Sequence, residues 1–248
     1  MQKKKNIVLC QLGSPKSTKV QDVRSYLKEF LSDPRVIDVP RVLWFFILRL
    51  FILPTRPKRS AEAYKRIEFC GFFPLIELTK KFSSKVQVSL GDEYKVLDSY
   101  ILSEPRVGDV VVENHNCIVF PQFPQFSDTT TSSVKDCIEK KIPNINENGS
   151  VTFIPYYHRL KAFIDLSAKR IEEHIAKYPV EELIISFHGI PVRYVTQKKD
   201  PYYKHCCETY MLLKEKINFP KENIHMTFQS RLGNEQWLNP YTDEFATE

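Results

Sequence analysis

His188 is the side chain in this sequence with the clearest opportunity for chemistry. It directly follows Leu183-Ile184-Ile185-Ser186-Phe187, an apolar run of strand length, and it precedes Gly189-Ile190-Pro191. Gly189 permits close approach of a ligand, and Pro191 stiffens the loop. A neutral imidazole in that position can ligate a metal ion or accept a proton, two roles open to histidine near neutral pH. The competing reading is a histidine that only completes local packing; the strand-end position is what favours chemistry. His115, His158, His174, His205 and His225 fall mid-segment or in polar loops and read as background.

Cysteine offers less. Cys206-Cys207 beside His205 invites a metal reading, but adjacent residues of a helix point in different directions, so packing is preferred. The 6 cysteines form no CxxC pair and no zinc-ligand spacing. Free thiols suit a reducing, cytoplasmic setting. The basic start around Lys3-Lys4-Lys5 runs straight into a strand with no small-residue cleavage site, so no secretory leader is expected.

A reactive loop needs a scaffold, and the apolar runs describe one. Residues 7–12 read as a buried strand closed by Gly13-Ser14-Pro15. Thr18 and Gln21 have capping-box spacing ahead of a helix carrying Val20, Val23, Leu27, Phe30 and Leu31. Leu75, Leu78, Phe82 and Val86 mark a second amphipathic helix, and residues 117–120 a second strand. Residues 151–154, 183–187 and 224–228 read as further strands. Helices marked by Phe163, Leu166, Ile171 and Ile175, and by Tyr210, Leu213 and Ile217, lie between them. This alternation predicts an α/β protein of two doubly wound, Rossmann-like halves with parallel sheets flanked by helices. The polar stretch 143–150 is the expected boundary, giving halves of residues 1–147 and 148–248.

Ligands of such sheets bind at the carboxyl ends of the strands. Three loops qualify: Gly13-Ser14-Pro15, the stretch from Pro121 and Gln122 through Ser127 to Thr131, and His188 to Pro191. No GxGxxG or Walker loop is present, so no nucleotide is expected. Segment 42–53, from Val42 to Leu53, is apolar except for Arg49 and is far short of the ~20 residues that span a bilayer. It reads as a buried core helix, the lip of an apolar pocket, or a helix resting on a membrane surface.

Composition bounds the rest. Among 248 residues, 42% are apolar and 27% charged, which excludes a disordered or collagen-like chain. Only 7 glycines against 16 prolines argue against a glycine-rich linker or repeat architecture. Net charge is +6, but the basic runs are short and acidic residues interrupt them, so a solvated surface is expected and not a nucleic-acid interface.

The run from Leu183 to Pro191, continued by Lys199-Asp200-Pro201-Tyr202, resembles the signature of ferrochelatases, which insert ferrous iron into a porphyrin to make haem. Stretches 27–40, 121–131 and 228–244 are also similar to bacterial members, in family order and across most of the chain. The resemblance implies two Rossmann-like halves with the porphyrin in the cleft between them. It implies protoporphyrin IX or coproporphyrin III with Fe²⁺ as substrates, and no permanently bound cofactor. An iron–sulfur cluster is not expected, because no cysteine follows Cys207. It gives segment 42–53 the role of a cleft mouth that can touch the inner membrane face. His188 would take pyrrole protons or ligate iron, while Trp237, Tyr100 and Gln122 would shape the porphyrin pocket; plain core is the other reading of Trp237.

Three departures qualify the match. Ser99-Tyr100 stands where the family usually has Arg-Tyr. The family's Gly-Ser-Pro-Leu turn becomes the longer Gly71-Phe72-Phe73-Pro74-Leu75. The acidic residue that faces the family's histidine is implied to lie beyond residue 248, which would leave the second half incomplete. Neither Glu244 nor Glu248 occupies that motif position. The alternatives are therefore an inactive porphyrin- or haem-binding relative, or a fragment of a longer ferrochelatase, with a cobalt or sirohydrochlorin chelatase ranked lower.

Overall fold

Val8, Leu9 and Cys10 lie at the centre of strand β1 (Lys5–Gln11) and are sealed from solvent, because the strand is paired on both edges and covered on both faces. The computed structural model describes residues 5–114, 116–143, 151–231 and 233–247. The expected boundary between residues 147 and 148 lies outside the described residues. The chain forms two units, Met1–Phe123 with Asp128–Pro155, and Pro124–Ser127 with Tyr156–Glu248.

In the first unit β1 is followed by α1 (Val20–Ser32), α2 (Arg41–Ile47), a π-helical turn (Leu48–Ile52), α3 (Leu53–Ile67) and α4 (Pro74–Leu90). Then come β2 (Tyr94–Tyr100), α5 (Val107–Glu113), β3 (Cys117–Pro121), α6 (Ser133–Glu139) and β4 (Val151–Phe153). The four strands are parallel in the order β2-β1-β3-β4. β1 therefore has β2 on one side and β3 on the other, which makes the carboxyl ends of β1 and β3 a topological switch point. Val8, Cys10, Val107, Val111, Val119 and Val134 form the core against which the sheet packs.

Several expectations change here. Val151–Phe153, expected in the second half, pairs with β3 and extends the first sheet, Cys117 opposite Val151. The capping box at Thr18 and Gln21 does not form. Ser17 Oγ instead accepts the Lys19 N–H and donates to Asp22, so the turn is fixed one residue earlier. In α4 the buried positions are Thr79 and Ser83, while Leu78 and Phe82 face solvent.

Segment 42–53 is helical but is not a core helix. Only Leu48 and Leu53 are buried, packed on Leu31; Trp44 donates its indole N–H to the Leu31 carbonyl at 2.6 Å. Val42, Leu43, Phe45, Phe46, Leu50 and Phe51 are exposed, and the Arg49 guanidinium lies 3.7 Å over the Phe45 ring.

The second unit contains α7 (Lys161–Lys177), β5 (Leu183–His188), α8 (Val192–Thr196), α9 (Tyr202–Lys216), β6 (Ile224–Gln229) and α10 (Thr242–Phe245). β5 and β6 pair in parallel from Leu183 opposite Ile224 to His188 opposite Gln229. Ile164, Ala168, Leu213, Ile217 and Ile224 form one core cluster, and Ile190, Tyr194, Cys206, Phe228 and Leu238 a second.

Candidate functional site

His188 is the last residue of β5, where the strand emerges from the sheet. The residue keeps an exposed face, yet desolvation of its ring lowers the imidazole below the ordinary histidine value of 6.5. Near neutral pH the ring is therefore uncharged, with a nitrogen lone pair free for a proton or a metal ion. No group of three or more His, Cys, Asp or Glu side chains converges on a metal position among the described residues.

The loop after His188 is built tightly. The Gly189 N–H donates to the Gln229 carbonyl at 2.7 Å. A Cβ at position 189 would lie 3.1 Å from that carbonyl oxygen and 3.5 Å from Cε3 of Trp237, so glycine is what the space accepts. Leu238 N–H bonds to the Ile190 carbonyl at 3.0 Å, and Val192 N–H to that of Gln236 at 2.9 Å. These bonds form an antiparallel bridge that lays half-buried Trp237 along the His188 loop. Two residues far apart in sequence thus reach one surface: a neutral imidazole and the indole beside it.

Gln122 and Tyr100 belong to the first unit. Gln122 sits at the switch point, half-buried; its backbone N–H donates to the Cys10 carbonyl at 2.8 Å and its side-chain amide to the Phe120 carbonyl at 3.0 Å. Gly13 closes the other side of that point with φ 99, and Ser103 Oγ, packed where a Cβ would go, donates to the Ser14 carbonyl at 2.7 Å. Tyr100 ends β2 with 0% exposure and donates its hydroxyl to Asp98 Oδ2 at 3.1 Å. Burial, reinforced by the Asp98 carboxylate, pushes its phenol well above the usual tyrosine range.

Other side chains around the site have no counterpart among the sequence-based candidates. Tyr202, at the start of α9, donates its hydroxyl to the His188 carbonyl at 2.9 Å. Buried Asp200 accepts the Tyr202 N–H at 2.9 Å and the Ser127 hydroxyl at 2.9 Å. His205, set aside as background, accepts the Phe126 N–H through Nδ1 at 3.1 Å. Together with the Gln125 amide on Thr209 at 3.0 Å, these contacts hold residues 124–127 in the second unit. The Asp200-Pro201-Tyr202 run is recognisable in the sequence as a motif; its contact with His188 arises only from tertiary folding. Cys206 is buried, as the packing reading expects.

Comparison with known proteins adds an independent line. The ferrochelatase family model matches residues 4–248. The chain is 39% identical over 247 residues to a ferrochelatase of Idiomarina loihiensis, covering 96% of this chain and 68% of that protein. It is also 39% identical over 253 residues to a coproporphyrin III ferrochelatase of Lactococcus lactis subsp. cremoris, covering 100% of this chain and 77% of that one. A ferrochelatase of Acinetobacter baumannii is 36% identical over 256 residues, with 99% and 75% covered.

Proposed function

The chain belongs to the ferrochelatase family, and from that premise we propose that it metallates a porphyrin itself, with His188 as the residue that handles protons or iron. The family's reaction inserts Fe²⁺ into a porphyrin in haem biosynthesis. Both metal and macrocycle are substrates. Two pyrrole N–H protons leave as the metal enters, so the site must supply a base and a surface that grips a flat apolar ring.

The observation that carries the proposal is the position and state of His188: a strand-end imidazole held neutral by desolvation, with Trp237 laid along its loop. Neutrality matters because a protonated ring could neither accept a pyrrole proton nor donate a lone pair to iron. Trp237 is assigned as a porphyrin contact of the second unit, and Gln122 as one of the first. Tyr100, having no exposed area, would serve the first unit indirectly by fixing the end of β2. Binding energy from the apolar ring faces can bend the macrocycle and make its nitrogens accessible.

Two finer assignments accompany this one. Coproporphyrin III is assigned as a candidate substrate because one similar protein is named a coproporphyrin III ferrochelatase, and protoporphyrin IX stands beside it as the other substrate the resemblance implies. A cytoplasmic location with peripheral membrane contact through segment 42–53 is supported by its exposed apolar side chains, while no helix among the described residues is long and apolar enough to cross a membrane.

Zn²⁺ insertion into each porphyrin, followed by absorbance and fluorescence, tests the proposal. The full chain is expected to turn over, and His188→Ala to lose about 100-fold or more in rate. Tight porphyrin binding without metallation by the unaltered chain would select the inactive porphyrin-binding relative instead.

A further inference from the structure

The peptide unit joining His188 to Gly189 is held from both sides. Its N–H donates to the Gln229 carbonyl at 2.7 Å, just past the end of β5. Its carbonyl points the opposite way, as a trans peptide requires, and accepts the Tyr202 hydroxyl at 2.9 Å. A planar group gripped at both ends cannot rotate, and its orientation sets the main chain from which the His188 side chain projects. β5 ends at His188, so without Tyr202 the sheet would restrain this peptide through one bond only.

We propose that Tyr202 is a positioning residue for His188, its phenol clamping the main chain on which the reactive imidazole is mounted. The inference rests on His188 acting in metallation. The clamp itself is rigidly based. Asp200 accepts the Tyr202 N–H and the Ser127 hydroxyl, and its own N–H donates to the Tyr194 carbonyl at 3.0 Å, so the start of α9 is fixed before the phenol reaches out. The Tyr202 ring packs against the cluster of Ile190, Tyr194, Cys206 and Phe228. Burial holds the phenol protonated far beyond the physiological range, so the hydroxyl is always a donor. The imidazole stays partly exposed while its backbone is locked, an arrangement that lets a ring meet substrate without losing its aim.

Tyr202→Phe in the full chain removes one hydroxyl and leaves the packing ring. Two readouts apply: NMR of the His188 ring, and steady-state Zn²⁺ insertion with thermal unfolding measured alongside. The expected result is broadened or doubled His188 ring signals as the ring loses its fixed orientation, with the exposed His174 ring unchanged. The turnover number is expected to fall about tenfold, with porphyrin KM within about twofold of the original. The same substitution added to His188→Ala is expected to have no further effect. Unchanged His188 ring signals overturn the clamp, as does a loss in which turnover and unfolding temperature fall while KM rises well beyond twofold. If His188→Ala leaves metallation intact, the function assigned to His188 fails, while the NMR comparison still decides the clamp.

Discussion

His158 and His205 stack face to face, their ring centroids 3.8 Å apart and their planes 16° from parallel. Both are buried. His158 Nε2 bonds to Glu208 at 2.7 Å, and His205 Nδ1 accepts the Phe126 N–H, so that nitrogen must carry no proton. Burial, then the neighbouring His158 ring, pushes His205 down to about 4, and Lys204 acts in the same direction against an opposing effect of Glu208.

Acid sensitivity follows with a definite sign. The folded value of about 4 lies below the ordinary 6.5, so the unfolded chain binds the proton first as pH falls. The contribution of His205 is complete above pH ~6.5 and is lost progressively toward pH ~4. Urea unfolding at stepped pH values is expected to show stability declining through that window. His205→Gln, whose amide oxygen can still accept the Phe126 N–H, is expected to flatten the decline. A variant curve parallel to the original would refute the assignment.

Gly189→Ala tests the contact between the His188 loop and Trp237. The added methyl lies 3.1 Å from the Gln229 carbonyl, tighter than ordinary packing, and in ordinary contact with the indole at 3.5 Å. A destabilisation of about 1–2 kcal/mol is expected, with a shift in tryptophan emission as the loop moves against the indole. An unaltered emission spectrum at full stability would show that the loop yields elsewhere.

What the sequence made legible divides along physical lines. β1, β3 and β5 are strands of parallel sheets that read as near-continuous apolar runs, and β6 is marked by Ile224, Met226 and Phe228 alternating with His225 and Thr227. β2 shows neither pattern, because Lys95 and Asp98 interrupt Tyr94–Tyr100; Asp98 is tolerated there because the Tyr100 hydroxyl meets it at 3.1 Å. β4 is recognisable as a strand, but its partner depends on long-range register. In α4 the apolar stripe of Leu78 and Phe82 identifies the helix and misidentifies its buried face. At the site, His188 is legible from its strand and glycine, Trp237 only by family resemblance. Tyr202 and the His158–His205 pair depend on contacts that no local pattern encodes.

Tyr100 separates a supporting role from a contact role. Its hydroxyl is sealed and bonded to Asp98. Tyr100→Phe is therefore expected to cost about 1 kcal/mol of stability and to leave porphyrin affinity unchanged in a tryptophan-quenching titration. A fall in affinity without loss of stability would mean that the hydroxyl reaches the porphyrin directly.

Segment 42–53 exposes a run of large apolar side chains, with Val42 76% and Phe51 66% accessible. Arg41 and Arg49 flank these side chains, so the surface combines apolar insertion with positive charge, the pairing that favours an anionic bilayer. Arg49 is held over the Phe45 ring, which keeps cation and aromatic together at one surface. Co-sedimentation with vesicles containing phosphatidylglycerol is expected to capture the chain at low salt and release it as ionic strength rises. Phe45→Ser and Phe51→Ser are each expected to weaken capture about tenfold, the effect of withdrawing one large apolar side chain from lipid. Leu48→Ser makes the contrast, because Leu48 packs on Leu31 and Leu53; it should lower stability rather than affinity. Capture that is indifferent to the two phenylalanines but sensitive to salt would reduce the contact to electrostatics alone, and the apolar surface would then need another occupant.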